Sequence, residues 1–248
     1  MPDLVFHKEY AIHAYETDAG GQARLVSLLN YLQDSAGEHA GSLGLSVLDL
    51  FKRGLTWVLS RYHVLVRRFP VMGERLEVTT WPSGKGGYFA TRDFEIADGN
   101  GGPVLSATSS WMILDLERKS PVKIDAIIGI PYALERRAIE DAFASLPVPT
   151  ARDAEVRFRA ESGHLDWNRH VNNAVYVAWA LEGVPPEVLL KKRPHELEVS
   201  YRAEAFYSEE ILSVVQAVPE TGQGPVYLHQ ILNAASGMEL ARLRTRWG

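Results

Sequence analysis

The order of structural elements along this chain occurs twice, and that repeat constrains the fold more than any other feature of the sequence. An extended stretch, Leu4 to Tyr15, precedes a polar loop, a helical pattern and a strand-rich region. The same order returns 148 positions later, when Asp18 is aligned with Asp166. Sequence identity between the copies is slight, but both helices and both strand-rich regions come into register. The chain therefore contains two copies of one unit of roughly 100 to 130 residues.

Within each copy, one helix is followed by strands. Apolar residues at the spacing of a single helical face predict a helix from 21 to about 40, and a second helix is predicted from about 171 to 182. Runs such as "ERLEVTTW" and "GYFATRDFEI" alternate with a period of two between turn signals, which is typical of an antiparallel meander. The fold class is therefore α+β, with each unit an antiparallel sheet wrapped around one long helix.

The predicted boundaries follow from changes in this pattern. The N-terminal unit spans 1–130 and the C-terminal unit spans 153–248. Between them, 131–152 begins at Pro131, has a helix-compatible middle and ends near "PVP". We expect this segment to be a linker with a short helix.

Composition excludes several classes of function. The 248 residues include no cysteine, so disulfides, thiolate metal sites and a cysteine nucleophile are impossible. A net charge of −5 argues against nucleic-acid binding, which needs a basic surface. No apolar run approaches the roughly 18 residues of a membrane span, and the first residues lack the pattern of a signal peptide. We expect a cytoplasmic protein with a small-molecule or protein partner.

Polar residues crowd the entrance of the second helix, in "HLDWNRHVNNAVYVAW" (164–179). Asp166, Asn168 and His170 occupy alternate positions there. An acid or an amide at such a place often caps the helix, which is one explanation of Asp166 or Asn168. The equivalent loop of the first copy, "DAGGQ", keeps the acid but lacks the amide and the imidazole. The helix does not require these two groups, so only the second copy carries the residues for chemistry.

The string D-x-N-x-H-V-N-N-x-x-Y-x-x-W, followed by "LEVSYRAEAF", resembles the acyl-acyl carrier protein thioesterase family in its double-hotdog form. The resemblance covers nearly the whole chain and implies a tandem hotdog fold. It also implies hydrolysis of acyl-acyl carrier protein to free fatty acid and carrier thiol, without a cofactor. Glu204, 34 positions after His170, stands where the family carries a catalytic acid. Plant members have a cysteine after that acid, but here the residue is Ala205, which rules out a thiol nucleophile.

Thioester hydrolysis needs an activated water, stabilisation of the oxyanion and a proton for the leaving thiolate. The predicted catalytic set is Asp166, Asn168, His170 and Glu204. Glu204 or Asp166 would activate the water with His170 as proton partner, and the sequence does not choose between the two carboxylates. Backbone N–H groups at 170–173 are a candidate oxyanion site. The string also offers metal ligands, but no convincing further ligand accompanies it, so no metal is expected.

The resemblance implies that the N-terminal unit shapes the acyl-chain tunnel. The predicted lining, which could equally be plain core, comprises Leu25, Leu28, Leu29, Leu32, Trp57, Val58 and Tyr62. Acyl carrier proteins are acidic, so docking calls for local positive charge. Candidate basic clusters, each equally compatible with a solvated face, are Arg67–Arg68, Arg136–Arg137 and "KKRP" at 191–194.

Three alternative functions remain open at this point: an acyl-CoA thioesterase of the same fold, a non-catalytic acyl-binding module and a hotdog dehydratase. The complete polar set argues against the binding module, and the Y-R-x-E motif does not suggest a dehydratase. The sequence fixes neither the acyl-chain length nor the choice between monomer and homodimer.

Overall fold

A computed structural model describes residues 3–129, 133–219 and 224–248. The chain divides into two compact units, 1–142 and 143–248. The division lies inside the predicted linker, so each unit includes part of that segment. Among the described residues, no helix is both long and apolar enough to cross a membrane.

The N-terminal unit is an antiparallel sheet with one long helix. Its elements are β1 (Phe6–Ala11), α1 (Leu25–Ser42), α2 (Val47–Phe51), β2 (Leu55–Val66), β3 (Arg75–Gly86), β4 (Phe89–Asp98), β5 (Pro103–Asp115), β6 (Ser120–Val122) and α3 (Ile124–Ile127). The strand order is β1-β3-β4-β5-β2, and β6 pairs with β5. The meander predicted from the alternating runs is present.

Helix α1 packs its apolar face against β1 and β3. The leucines and the alanine that predicted this face are all buried, with Leu28 and Leu32 completely so. The helix begins at Leu25, four residues later than the predicted start at 21. The reason is local: Gln22 and Ala23 form β-bridges to Val71 and Thr17, which hold them extended.

The C-terminal unit has the same plan. Its elements are β7 (Ala154–Arg159), α4 (Asn173–Leu181), α5 (Pro186–Leu189), β8 (Pro194–Tyr201), β9 (Glu210–Val218), β10 (Val226–Asn233) and β11 (Glu239–Trp247). The strand order is β7-β9-β10-β11-β8, which matches the order in the first unit. Strands β1 and β7 and the first residues of α1 and α4 are separated by the predicted 148 positions.

Helix α4 has nine residues, so it is shorter than the helix predicted from about 171 to 182; α1 has 18. It begins after Asn172, whose Oδ1 accepts the N–H of Ala174 at 2.9 Å, and it packs against β9, β10 and β11. Gly183 follows its end at a place where a β-carbon would overlap the side chain of Val215. Glycine therefore fits where the chain leaves the helix, and Pro185 and Pro186 follow after Val184.

The short helix expected within 131–152 does not form in 133–152; residues 131 and 132 lie outside the described residues. A single-turn helix, α3, lies just before the segment. Backbone groups of the segment bond to the sheet of the N-terminal unit instead: Leu134 N donates to the Pro82 carbonyl and Ala138 N to Asp93 Oδ2. Those contacts, with prolines at 147 and 149, replace the bonds of a helix.

Candidate active site

The loop before α4 is closed by the side chain of Asp166. Its Oδ1 accepts the backbone N–H of Asn168 at 2.8 Å and that of His170 at 3.2 Å. Arg169 N donates to the Asp166 carbonyl, and Asp166 N donates to the His170 carbonyl. The turn places Arg169 at a φ of 65°, a conformation that side chains other than glycine rarely adopt. The carboxylate thus stabilises a loop that carries the half-buried side chains of Asn168 and His170.

The N-terminal unit contains the same turn without the polar side chains. Oδ1 of Asp18 accepts the N–H of Gly20 at 2.8 Å and that of Gln22 at 3.2 Å. Gly21, equivalent to Arg169, has a φ of 74°. Since both copies use the aspartate in the same way, the loop itself accounts for an acid at position 166.

The side chains of His170 and Glu204 are in contact at the surface of the C-terminal unit. Nδ1 of His170 lies 3.1 Å from Glu204 Oε1, and the side chains are 34% and 47% exposed. The ring of Phe206 packs edge-on against the imidazole, with centroids 5.2 Å apart. The pair is therefore held on one side and open to solvent on the other, as a site for a soluble substrate requires.

Asn168 shares the loop with His170, two positions away, and its side chain is half-buried. In the described part of the chain, no hydrogen bond joins its side-chain amide to His170 or to Glu204. The structure thus brings Asp166, Asn168 and His170 onto one loop and places Glu204 beside His170. His170 contacts both Asp166, through its backbone N–H, and Glu204, through its ring, whereas the Asn168 side chain is near them without a bond to either His170 or Glu204.

Three of the four backbone N–H groups predicted for the oxyanion, those of 170–172, are engaged, so the prediction is wrong for these three. His170 N bonds to Asp166 Oδ1, Val171 N to the Ala205 carbonyl and Asn172 N to the His164 carbonyl. The N–H groups at 170–172 therefore stabilise the loop and its contact with the segment that carries Ala205. Asn172 supplies the cap, rather than Asp166 or Asn168.

Comparison with known protein families identifies the family of this chain. The model of the acyl-ACP thioesterase N-terminal domain matches residues 3–130, and that of the C-terminal domain matches 149–248. The chain belongs to the acyl-ACP thioesterase family. The family predicted from the motif around His170 is therefore confirmed.

Several relatives of this family member extend over most of its sequence. An acyl-[acyl-carrier-protein] hydrolase of Cuphea viscosissima is 32% identical over 98% of this chain and 63% of its own length. A palmitoyl-acyl carrier protein thioesterase of Cuphea hookeriana is 31% identical over 98% of this chain and 62% of its own. The chain thus spans less than two thirds of the length of these two chloroplastic relatives.

Solved structures of acyl-ACP thioesterases have the same fold. The 12:0-ACP thioesterase of Umbellularia californica superposes with a TM-score of 0.89 at 27% identity, covering 100% of this chain and 95% of that one. An acyl-ACP thioesterase of Bacteroides thetaiotaomicron gives a TM-score of 0.87 at 24% identity, with 98% of each chain covered. The tandem hotdog predicted from the repeat is confirmed.

In this acyl-ACP thioesterase family member, the segment that carries Glu204 is anchored by contacts that the sequence reasoning missed. Ala205 N donates to the hydroxyl of Tyr176 at 2.8 Å, and the Ala205 carbonyl accepts from Val171 N at 3.0 Å. Phe206 N donates to Glu209 Oε2 at 3.0 Å. Ala205 itself is fully buried, so its side chain faces the interior and not the substrate side.

Comparison of the two copies in the sequence could have identified Tyr176 as a residue of interest. Its equivalent in α1, 148 positions earlier, is Leu28, so a hydroxyl stands on a helix face that is apolar in the other copy. Burial raises the pKa of the Tyr176 phenol well above its ordinary value, and the nearby carboxylates of Glu204, Glu209 and Asp166 act in the same direction. The phenol is therefore neutral at physiological pH.

The residues predicted to line an acyl tunnel lie in the core of the N-terminal unit. The four α1 leucines and Tyr62 are buried, whereas Trp57 and Val58 are half-buried. Trp57 donates its Nε1 proton to the Leu45 carbonyl at 2.9 Å. These positions are those of ordinary core residues, and their assignment to the acyl chain stays a prediction.

Three arginines of the first two predicted basic clusters are paired with carboxylates. Arg68 bonds to Glu74 and Asp98, Arg136 to Glu95, and Arg137 to Asp93. Arg67 of the first cluster and Lys191 of the third are exposed. These two side chains therefore offer accessible positive charge to an acidic partner.

Metal ligation is not favoured by the donor geometry of the site. Among the described residues of the C-terminal unit alone, no three His, Asp or Glu side chains bring their ligand atoms within 4.8 Å of one another. Moreover, Oδ1 of Asp166 already accepts hydrogen bonds from two backbone N–H groups. The chemistry available to the site is that of an imidazole, two carboxylates and an amide.

Proposed function

We propose that this protein hydrolyses acyl-acyl carrier protein thioesters, releasing a free fatty acid and the carrier thiol. The observation that carries the proposal is the contact between His170 Nδ1 and Glu204 Oε1, formed in the unit whose loop also presents Asn168. The equivalent loop of the N-terminal unit has glycine and glutamine where Asn168 and His170 stand. Family membership and the names of the relatives supply the substrate class.

We propose different roles for Asp166 and Glu204, between which the sequence does not choose. Asp166 serves the loop through its bonds to backbone N–H groups. Glu204 accepts the Nδ1 proton of His170, which fixes the tautomer and leaves Nε2 unprotonated and able to accept a proton. Glu204 also stabilises the imidazolium that forms when Nε2 takes that proton, which is the role of the acid in a nucleophile–histidine–acid triad.

The reaction then proceeds in two balanced steps. A water oxygen bonds to the thioester carbonyl carbon while one of its protons passes to His170 Nε2, giving a tetrahedral oxyanion. The carbon–sulfur bond then breaks as the carbonyl re-forms, and the sulfur takes the proton from Nε2. The side-chain amide of Asn168, on the same loop, is the group we assign to the oxyanion, because the backbone N–H groups at 170–172 are engaged.

The substrate is tested by measuring thiol release from matched acyl-carrier and acyl-CoA thioesters of several chain lengths. Wild type should release thiol from the acyl-carrier substrates with the higher kcat/KM, and His170→Gln should lower kcat by at least about 100-fold. Glu187→Gln, an exposed change on α5, serves as the matched surface control.

Each alternative function has its own outcome. A higher kcat/KM for the acyl-CoA substrates would replace the proposal by an acyl-CoA thioesterase. No release from any thioester by correctly folded wild type would favour the acyl-binding module. The compartment we propose is the cytoplasm, on the composition alone.

A further inference from the structure

The two copies of the unit differ at one buried contact next to the proposed site. In the C-terminal unit, Val171 N donates to the Ala205 carbonyl; in the N-terminal unit, Ala23 N donates to the Pro70 carbonyl. Ala205 and Pro70 are thus equivalent positions, and a proline has no N–H to donate. The helix residue facing that position is also different, since Leu28 replaces Tyr176. The N-terminal unit therefore adopts the same fold without a hydrogen bond between a helix hydroxyl and this backbone position.

In the C-terminal unit the contact is complete and well enclosed. Ala205 N donates to the Tyr176 hydroxyl at 2.8 Å, and Tyr176 and Ala205 are 2% and 0% exposed. The tyrosine ring packs edge-on against Trp179 and Tyr201, with centroids 5.5 Å and 5.8 Å apart. With neighbours on both sides, the ring has little freedom, and its hydroxyl is a fixed acceptor.

Ala205 is consequently held on both sides of its α-carbon. Its N–H is held by Tyr176 of α4, and its carbonyl is held by Val171, which follows His170 directly. The peptide group between Glu204 and Ala205 is the one whose N–H bonds to the tyrosine. A β-bridge between His170 and Phe206 also joins the two segments, and the Tyr176 hydroxyl is the side-chain group that holds the peptide directly after Glu204.

We propose that Tyr176 is a positioning residue of the thioesterase site: its hydroxyl fixes the peptide after Glu204, so that the carboxylate reaches Nδ1 of His170. This inference rests on the function proposed above. Tyr176 acts through Glu204 and touches no reacting atom. A neutral phenol suits this role because it accepts the N–H without adding a negative charge beside the carboxylate.

Tyr176→Phe tests the inference, because it removes one oxygen and keeps the ring. We expect kcat for acyl-carrier hydrolysis to fall by about 10- to 100-fold, with KM changed less than about twofold, since a small displacement of a catalytic group has that effect. Tyr201→Phe is the matched control. It also removes a phenolic oxygen from the same aromatic cluster, but its partner is the Asn173 carbonyl in α4, 3.0 Å away. Its kcat should stay within about threefold of wild type.

Two further measurements separate positioning from a general loss of stability. If Tyr176 acts through Glu204, adding Tyr176→Phe to Glu204→Gln should lower kcat no further than Glu204→Gln alone. In the absence of substrate, the ring ¹⁵N shifts of His170 should change in Tyr176→Phe and not in Tyr201→Phe. Multiplicative losses in the double variant, or equal effects of the two phenylalanine variants, would overturn the inference.

The ¹⁵N measurement also distinguishes the two proposals. If wild type hydrolyses no thioester but the His170 shifts move only in Tyr176→Phe, the proposed function fails and the positioning role stands. If wild type is active but the shifts do not move, the positioning role fails alone.

Discussion

Asp18 and Asp166, 148 positions apart, accept the same two hydrogen bonds in the two units of this chain. Each uses Oδ1 to bind the backbone N–H groups two and four residues ahead, at 2.8 Å and 3.2 Å. One of the two loops carries the imidazole of a proposed catalytic site, and the other does not. The shared bonds therefore stabilise the loop in both units, and the residues that differ between the loops are the ones we propose for catalysis.

The first prediction concerns the stability of these two loops. Asp166→Ala and Asp18→Ala should each lower the free energy of unfolding by about 1 to 2 kcal/mol, because two backbone N–H groups lose their acceptor. Asp→Asn at either position keeps an oxygen acceptor and should cost less. Thermal unfolding of the four variants checks this. A large loss for Asp166→Ala together with none for Asp18→Ala would show that the loops are not equivalent.

A second prediction concerns the buried carboxylate of Asp93, which is 0% exposed. It accepts bonds from Ser83, Thr108, Arg137 and the N–H of Ala138. Asp93→Asn should destabilise the N-terminal unit by about 3 kcal/mol, since a largely buried guanidinium loses its counter-charge. It should also speed tryptic cleavage after Arg137, because the segment at 133–142 loses its anchor.

Glu95→Gln is the control for this change. It removes the carboxylate partner of Arg136, but that pair is about half exposed and contributes little. Equal cleavage rates in Asp93→Asn and Glu95→Gln would contradict the anchoring role.

A third prediction concerns pH. Burial lowers the pKa of His229 to about 3, and its Nε2 lies 2.8 Å from Thr245 Oγ1 in the core of the C-terminal unit. The unfolded chain binds a proton at this residue below about pH 6.5, whereas the folded chain does not. Stability should therefore fall as the pH drops from about 6.5 towards 3, by about 1.4 kcal/mol per pH unit from this residue.

His229→Gln stays neutral and keeps an acceptor for Thr245. Between pH 6 and pH 4.5, its unfolding free energy should change less steeply with pH than that of wild type, by the slope that corresponds to one bound proton, about 1.4 kcal/mol per pH unit. Parallel pH curves for the two proteins would show that His229 is not the group responsible. Buried His39, whose pKa is also lowered, adds a slope of the same sign that persists in both proteins.

A fourth prediction concerns docking of the carrier. Lys191 is exposed, whereas Arg68 and Arg137 are bonded to carboxylates. Lys191→Glu should raise KM for an acyl-carrier substrate severalfold without lowering kcat, since an exposed charge steers the encounter. Arg68→Glu should act mainly on stability. An unchanged KM in Lys191→Glu at low ionic strength would exclude this cluster from docking.

Much of the fold could be predicted from the sequence because local patterns determine it. The spacing of leucines predicted the buried face of α1, and the repeat predicted equivalent positions for β1 and β7. The start of α1 was less accurate, since the bridge of Gln22 depends on Val71, which is distant in sequence. The helix expected in the linker failed for the same reason: contacts with Pro82 and Asp93 outweighed local propensity.

The candidate site could be predicted in its residues but not in their roles. The motif identified Asp166, Asn168, His170 and Glu204, yet no sequence pattern shows which carboxylate faces the imidazole. Nor does a pattern show that Tyr176 meets the N–H of Ala205, 29 positions away, because that contact depends on how α4 packs. The N–H groups of 170–172 were misjudged because the folded loop supplies acceptors to two of them, Asp166 Oδ1 and the His164 carbonyl, and the distant Ala205 carbonyl accepts the third.

The account's central claim is that Glu204, through its contact with His170, is the carboxylate that serves the chemistry, while Asp166 serves the loop. The most direct test measures kcat for acyl-carrier hydrolysis by Glu204→Gln and Asp166→Asn, with folding of both confirmed by circular dichroism. Each change removes one charge and keeps an oxygen acceptor. We predict a loss of at least about 100-fold for Glu204→Gln and less than about 10-fold for Asp166→Asn. The opposite order would contradict the claim and make Asp166 the catalytic carboxylate.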